Sequence, residues 1–283
     1  MFRGFGTWYG IVGEGDDPGR LPLLCLHGGP GSSHHMLENL GLLSGQGRRV
    51  VFYDQLGSGD SDRPDDSSLW TVETFLDQLR SVREELELER LHLFGSSWGG
   101  MLALEYALTQ PDGLASLVLN STPTSAPRWA AEAMRLRSAL PPGLDEQAVE
   151  QEFWRRHICR LDPEPEQVTR ARAKFGKQVY ETMWGPNEFT VTGTLKDWDV
   201  IERLGEIELP TLITSGRYDE CTPALVEPLH HGIAGSRWVL FEESSHTPVL
   251  EETERFLGVI GGFLDEVEER PRPAGGRASE AGP

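Results

Sequence analysis

Short apolar runs bounded by glycine, helix-like stretches between them, and a change of rhythm after residue 122 predict an α/β fold. A mostly parallel central sheet is flanked by helices and interrupted by an inserted helical cap. Six runs read as buried strands: residues 21–29, 48–55, 90–96, 114–122, 210–216 and 236–242. Each is nearly continuous in aliphatic and aromatic residues, as strands covered on both faces must be. Between residues 71 and 88, Val72, Phe75, Leu79, Val82 and Leu86 recur close to the 3.6-residue period of a helix. A second helix is expected over 98–110, closed by Pro111. Residues 1–122 and 207–267 make up the expected core. Residues 123–206 carry long charged helical patterns with no convincing buried strand, and read as the cap. The cap holds four of the eight tryptophans, Trp129, Trp154, Trp184 and Trp198, which are expected to pack it rather than line a pocket. Residues 268–283, polar and rich in proline and glycine, are expected to form a disordered tail.

Composition narrows the function classes. A chain of 283 residues with 38% hydrophobic content is long enough for one large core. The formal charge of −19, with no basic run, excludes binding of nucleic acid or anionic membrane through a basic surface. Cys25, Cys159 and Cys221 are too few and too scattered for a disulfide framework or a zinc site. The opening MFRGFGTWYG lacks the apolar run of a signal peptide, and no segment is long enough to span a bilayer. The expectation is a cytoplasmic protein without metal or cofactor.

The stretch LFGSSWGG (93–100) places two serines between glycines. A hydroxyl presented on a sharp strand-to-helix turn needs small residues two places before and after it. Ser97 has Gly95 and Gly99 there, whereas Ser96 has Phe94 and Trp98. Ser97 is therefore the candidate nucleophile. A serine hydroxyl needs an imidazole base, and the base needs a carboxylate to fix its tautomer. Asp219 in GRYDECTP and His246 in ESSHTP follow the last two expected strands, in the order serine, acid, histidine. His34, His35, His230 and His231 are expected to have surface roles, and His157 falls in the cap. The developing oxyanion needs two backbone donors. One is the N–H of Trp98, directly after the nucleophile. The other comes from HGGPG (27–31), where Pro30 has no N–H and Gly28 or Gly29 must donate.

HGGPGSSH, YDQLGSGDSDRP, GSSWGGMLALEYAL, GPNEFTVTGTLKDWD, GRYDECTP and SSHTP together resemble the proline iminopeptidase family of α/β-hydrolases, which includes the tricorn-interacting aminopeptidases. The resemblance runs from about residue 20 to residue 265, and the short, glycine-rich N-terminus departs from it. It implies an α/β-hydrolase fold and a Ser97, Asp219 and His246 triad, with Gly29 and Trp98 as oxyanion donors. It also implies metal-free hydrolysis of the amide bond after an unblocked N-terminal residue, often proline. Such an enzyme must hold a free α-ammonium group, which needs carboxylates nearby to offset its desolvation. Glu220 follows Asp219 directly, and Glu188 lies in GPNEF. In the similar aminopeptidases, glutamates at these two positions hold the substrate's amino group. The expected partner is a small peptide or aminoacyl amide with a free amine. The alternatives are an amidase that removes an aminoacyl group from a non-peptide amine, and a non-catalytic ligand-binding protein on the same fold.

Overall fold

The computed structural model describes residues 1–269 apart from Asp16 and Pro18. Seven strands form one sheet: β1 (Tyr9–Val12), β2 (Leu23–Leu26), β3 (Val50–Tyr53), β4 (Leu91–Ser96), β5 (Leu114–Asn120), β6 (Thr211–Gly216) and β7 (Arg237–Phe241). Their spatial order is β1-β3-β2-β4-β5-β6-β7. All neighbours are parallel except β1, which pairs antiparallel with β3. The six expected strands are present. β1 was not expected: its YGIV is short, lies at the sheet edge and is largely exposed, so it lacks the apolar run that marks the others.

After β2 the chain crosses to β3 on one side, and after β3 it returns to β4 on the other side of β2. The loops after β2 and β4 therefore diverge and leave a crevice at their carboxyl ends, where open α/β sheets bind ligands. Leu23, Leu24, Cys25 and Leu26 are all buried because helices cover both faces of the sheet. Alternate strand residues feed two cores: Leu24 and Leu26 belong to one, Leu23 and Cys25 to the other.

α1 (Val72–Glu85) starts where the Thr71 hydroxyl accepts from the Thr74 N–H. α2 (Trp98–Leu108) is buried nearly all round and runs directly off β4. Between β5 and β6 lie α3 (Ala126–Ser138), α4 (Glu146–Phe153), a π-helical turn at Trp154–Ile158, α5 (Glu166–Ala173) and α6 (Lys177–Met183). After β6 come α7 (Pro223–Gly232), α8 (Pro248–Glu251) and α9 (Thr253–Glu269).

α9 corrects the expected start of the tail. Residues 268 and 269 end this helix because Glu268 is tied inward, bonding both Arg48 Nη1 (2.6 Å) and the Leu21 N–H (2.7 Å). The tail expected from residue 270 onward lies outside the described residues. Among the described residues no helix is long and apolar enough to cross a membrane.

His34 and His35 also differ from expectation, being buried rather than at the surface. The His34 ring stacks on Trp8, with centroids 3.8 Å apart, and its Nδ1 bonds to buried Asp54 at 2.9 Å. The adjacent histidines at 34 and 35 carry no sequence mark of such partners.

Candidate active site

Ser97 stands between β4 and α2 with φ 56° and ψ −122°, a conformation that a non-glycine residue adopts only under constraint. The close packing of its neighbours supplies that constraint. A Cβ on Gly95 would lie 2.3 Å from the Gly99 carbonyl oxygen, and one on Gly99 would lie 2.2 Å from that of Leu26. Both positions require glycine, the small-neighbour condition that singled out Ser97. The Ser97 N–H donates to the Asn120 carbonyl at 2.9 Å, which fastens the turn to β5. The Ser96 hydroxyl is engaged within the sheet, accepting from Asn120 Nδ2 at 3.0 Å.

The pairing of Leu26 with Gly95 brings the loop after β2 alongside Ser97. Gly28 is so close that a Cβ there would sit 3.1 Å from Ser97 Cβ. Three hydrogen bonds from one buried side chain and its backbone hold this loop. Gln55 Nε2 donates to the His27 carbonyl at 3.0 Å, and Gln55 Oε1 accepts from Trp98 Nε1 at 2.7 Å. The Gln55 N–H donates to His27 Nε2 at 3.0 Å. His27 Nε2 is thus an acceptor, leaving Nδ1–H to donate to the Gly28 carbonyl at 3.0 Å. Burial holds the His27 pKa below its usual value, so the ring is neutral as this arrangement requires. Gln55 therefore links the residue before Gly28 and Gly29 to the residue after Ser97. Sequence reasoning missed this role. The available signal was position: Gln55 ends the expected strand 48–55, at the carboxyl edge where functional side chains collect.

Asp219 follows β6 and His246 follows β7, and the two meet with Nδ1 to Oδ1 at 2.7 Å. Asp219 is 1% exposed and also accepts from the Cys221 N–H at 2.8 Å. Burial disfavours the His246 imidazolium, but the charge and hydrogen bond of Asp219 outweigh burial and Glu188 adds to them, so the His246 pKa is raised. The π-helical turn fastens both loops. The His157 carbonyl accepts from the N–H groups of Glu220 and His246, each at 3.2 Å, and His157 Nδ1 bonds the Tyr218 carbonyl at 2.8 Å. π turns concentrate at functional sites, but a helical sequence pattern does not announce one.

Glu188 and Glu220 reach the same cavity as Ser97 and His246, a space of about 330 Å³. Glu220 is 4% exposed, and its Oε1 lies 3.8 Å from His246 Nε2. Burial, then the charges of Glu188 and Asp219, push its pKa well up. Burial also raises Glu188, against a hydrogen bond of 2.6 Å from the Tyr180 hydroxyl and the charge of His246. Among the described residues Glu220 Oε2 and Asp219 Oδ2 have no hydrogen-bond partner. Such crowding of carboxylates is costly unless a cation joins them.

Trp129, Trp154 and Trp184 pack as expected but also line this cavity, which was not expected. They serve both purposes, since Trp129 packs edge-on against both Trp184 and the His246 ring. Trp198, by contrast, donates to Glu105 on α2 at 2.7 Å and does not line the cavity. Cys221 is fully buried in the core.

Among the described residues, His34, His35 and Glu38 are near enough to share an ion. Several of the atoms that could hold it have other partners: Asp54 takes His34 Nδ1, Ser33 Oγ bonds His35 Nδ1 at 3.0 Å, and Arg170 clamps both Glu38 oxygens.

The family described as the alpha/beta hydrolase fold matches residues 22–253. A proline iminopeptidase of Lactobacillus acidophilus is 41% identical over 286 residues, covering 93% of this chain and 96% of its own. Among solved structures, that of VinJ superposes with a TM-score of 0.90 at 38% identity, covering 94% of this chain and 97% of its own. A proline iminopeptidase of Mycobacterium smegmatis superposes with a TM-score of 0.89 at 37% identity, covering 95% and 97%.

Proposed function

The chain belongs to the proline iminopeptidase family of α/β hydrolases, and from that premise we propose that it is a serine aminopeptidase releasing an unblocked N-terminal residue from a small peptide. The observation that carries this reading is the pair Glu188 and Glu220. Two partly or fully buried carboxylates share a cavity with the serine and histidine, and one carboxylate oxygen has no partner. An α-ammonium group supplies the missing donors and the missing positive charge.

With the ammonium between the glutamates, the scissile carbonyl lies over Ser97. Ser97 Oγ forms a bond to the carbonyl carbon while His246 Nε2 takes the hydroxyl proton, and Asp219 stabilises the imidazolium through Nδ1–H. The carbonyl π electrons move onto oxygen, and the N–H groups of Gly29 and Trp98 receive that oxyanion. Collapse restores the carbonyl, breaks the C–N bond, and passes the His246 proton to the leaving nitrogen. Water then attacks the acyl-serine by the same base catalysis. It releases the amino acid and restores the Ser97 hydroxyl.

The test is a matched pair of substrates, a prolyl anilide with a free amine and its N-acetyl form. Acetylation removes the charge and leaves two carboxylates facing each other without a cation. The expected loss in kcat/KM is at least about 100-fold, two charge-assisted hydrogen bonds being worth about 1.5–3 kcal/mol each. Equal rates for the two substrates overturn the aminopeptidase reading.

A further inference from the structure

We propose that the half of the cavity away from the glutamates is a subsite for an apolar second residue of the peptide, and that it selects against a free carboxylate on that residue. The inference rests on the aminopeptidase reading and goes on to the leaving side of the scissile bond.

The cavity straddles the carboxyl edge of the sheet. Near the glutamates its wall is Trp129, Tyr180 and Trp184, all part of the core on one face of the sheet. Leu37, Val168 and Val249 line it as well, and they belong to the core on the opposite face, with Met36 packed against them. Ser97 stands between these walls at the end of β4. Once the ammonium is held by Glu188 and Glu220 and the carbonyl carbon sits at Ser97, the leaving nitrogen points toward the second wall. Those four side chains come from the 3-10 segment His34–Gln46, α5 and α8, and none carries a hydrogen-bonding group. An apolar side chain there removes both surfaces from water.

Charge sharpens the selection. One guanidinium lines the cavity, that of Arg172, and it is already committed. Its two terminal nitrogens hold Glu164 at 2.9 and 2.8 Å, and it lies 4.9 Å over the Trp154 ring. The same cavity is bordered by Glu188 and Glu220, with Asp219 directly behind His246. A carboxylate on the second residue would enter a space whose border has three carboxyl groups for one substrate ammonium and, among the described residues, no unpaired cation. In a poorly solvated site that repulsion is weakly screened.

The experiment compares kcat/KM for prolinamide, prolyl-glycinamide, prolyl-leucinamide and prolyl-leucine. Prolyl-leucinamide is expected to exceed prolyl-glycinamide about 10-fold or more, from burial of the leucine side chain. Prolyl-leucine is expected to fall about 10-fold or more below its amide. Met36→Lys places a cation in the wall and is expected to narrow the ratio of amide to free acid, a ratio from which any general loss cancels. Turnover of prolinamide with no preference among the other three overturns the subsite alone. An unchanged ratio in Met36→Lys overturns its location. Failure to cleave any of the four overturns the aminopeptidase reading and the subsite with it.

Discussion

The two ends of the sheet both bury charge, and they treat it in opposite ways. At the amino edge Arg48, which is 0% exposed, holds Glu268 through Nη1 at 2.6 Å and Nη2 at 2.9 Å. Arg20 joins through Asp265, and neutral His92 bridges Ser116 Oγ at 2.7 Å and Glu268 at 3.1 Å. Two arginines face two carboxylates, and the Glu268 carboxyl is held far below its usual range despite the opposing effect of burial. At the carboxyl edge Asp219, Glu188 and Glu220 share one imidazole, and two carboxylate oxygens lack partners among the described residues. The first end pairs each arginine with carboxylates, although Arg48 Nε has no partner among the described residues. The other gathers three carboxylates around one imidazole, and on the proposed reading a substrate ammonium would balance them. The difference teaches that buried charge by itself does not mark function; charge left short of its partner does.

The comparison breaks first at the nucleophile. Ser97→Ala is expected to lower kcat on the order of 10⁴-fold or more, whereas Ser96→Ala keeps most of the activity. Single-turnover and steady-state kinetics on both variants check this, and the reverse pattern removes Ser97 from its role.

Paired substitutions at the two ends sharpen it most directly. Glu220→Gln removes a repelled carboxylate. It is expected to lower kcat/KM for free-amine substrates about 100-fold while leaving the melting temperature unchanged or higher. Glu268→Gln leaves buried Arg48 with only the more distant Asp265, 3.4 Å from Nη2, as counter-charge and is expected to destabilise by up to about 3–5 kcal/mol. Since the folded pKa of Glu268 is depressed, its stabilisation is fully present above the unfolded carboxyl value of about 4.3. It is lost as pH falls toward the folded pKa, so the gap between native and variant closes in acid. Denaturant melts at pH 7 and pH 3 measure both effects.

Gln55→Ala unlinks the loop of Gly28 and Gly29 from Trp98. The expected loss is about 10- to 100-fold in kcat with KM little changed, since the donors it spaces act on the oxyanion. A KM effect of equal size would mean that Gln55 serves substrate binding instead.

The smallest effect is on pH dependence. In the proposed mechanism His246 is the base and must be neutral; its pKa is raised, so the acid limb of kcat/KM is expected above the ordinary histidine value of about 6.5. Glu188 contributes to that elevation, so Glu188→Gln is expected to move the limb to lower pH. A limb that stays in place would detach Glu188 from the base.

Much of this architecture was legible along the chain, because buried parallel strands must be continuously apolar and the turn at Ser97 tolerates only glycine at 95 and 99. Those are local demands, and sequence alone determined the α/β class, the position of Ser97, and the order in which Asp219 and His246 follow it. The edge strand β1 escaped notice because exposure removes the apolar pattern. Trp129, Trp154 and Trp184 were assigned to packing because a tryptophan's neighbours, not its spacing, decide whether it also faces a cavity. The roles of Gln55 and the His157 carbonyl depend on hydrogen bonds across 28 and 63 residues of chain or more. The charge balance at one end of the sheet and the deficit at the other were decided only in the tertiary structure. Coulomb energy depends on distance and burial, and the same glutamate reads identically in sequence whether it faces Arg48 or other carboxylates.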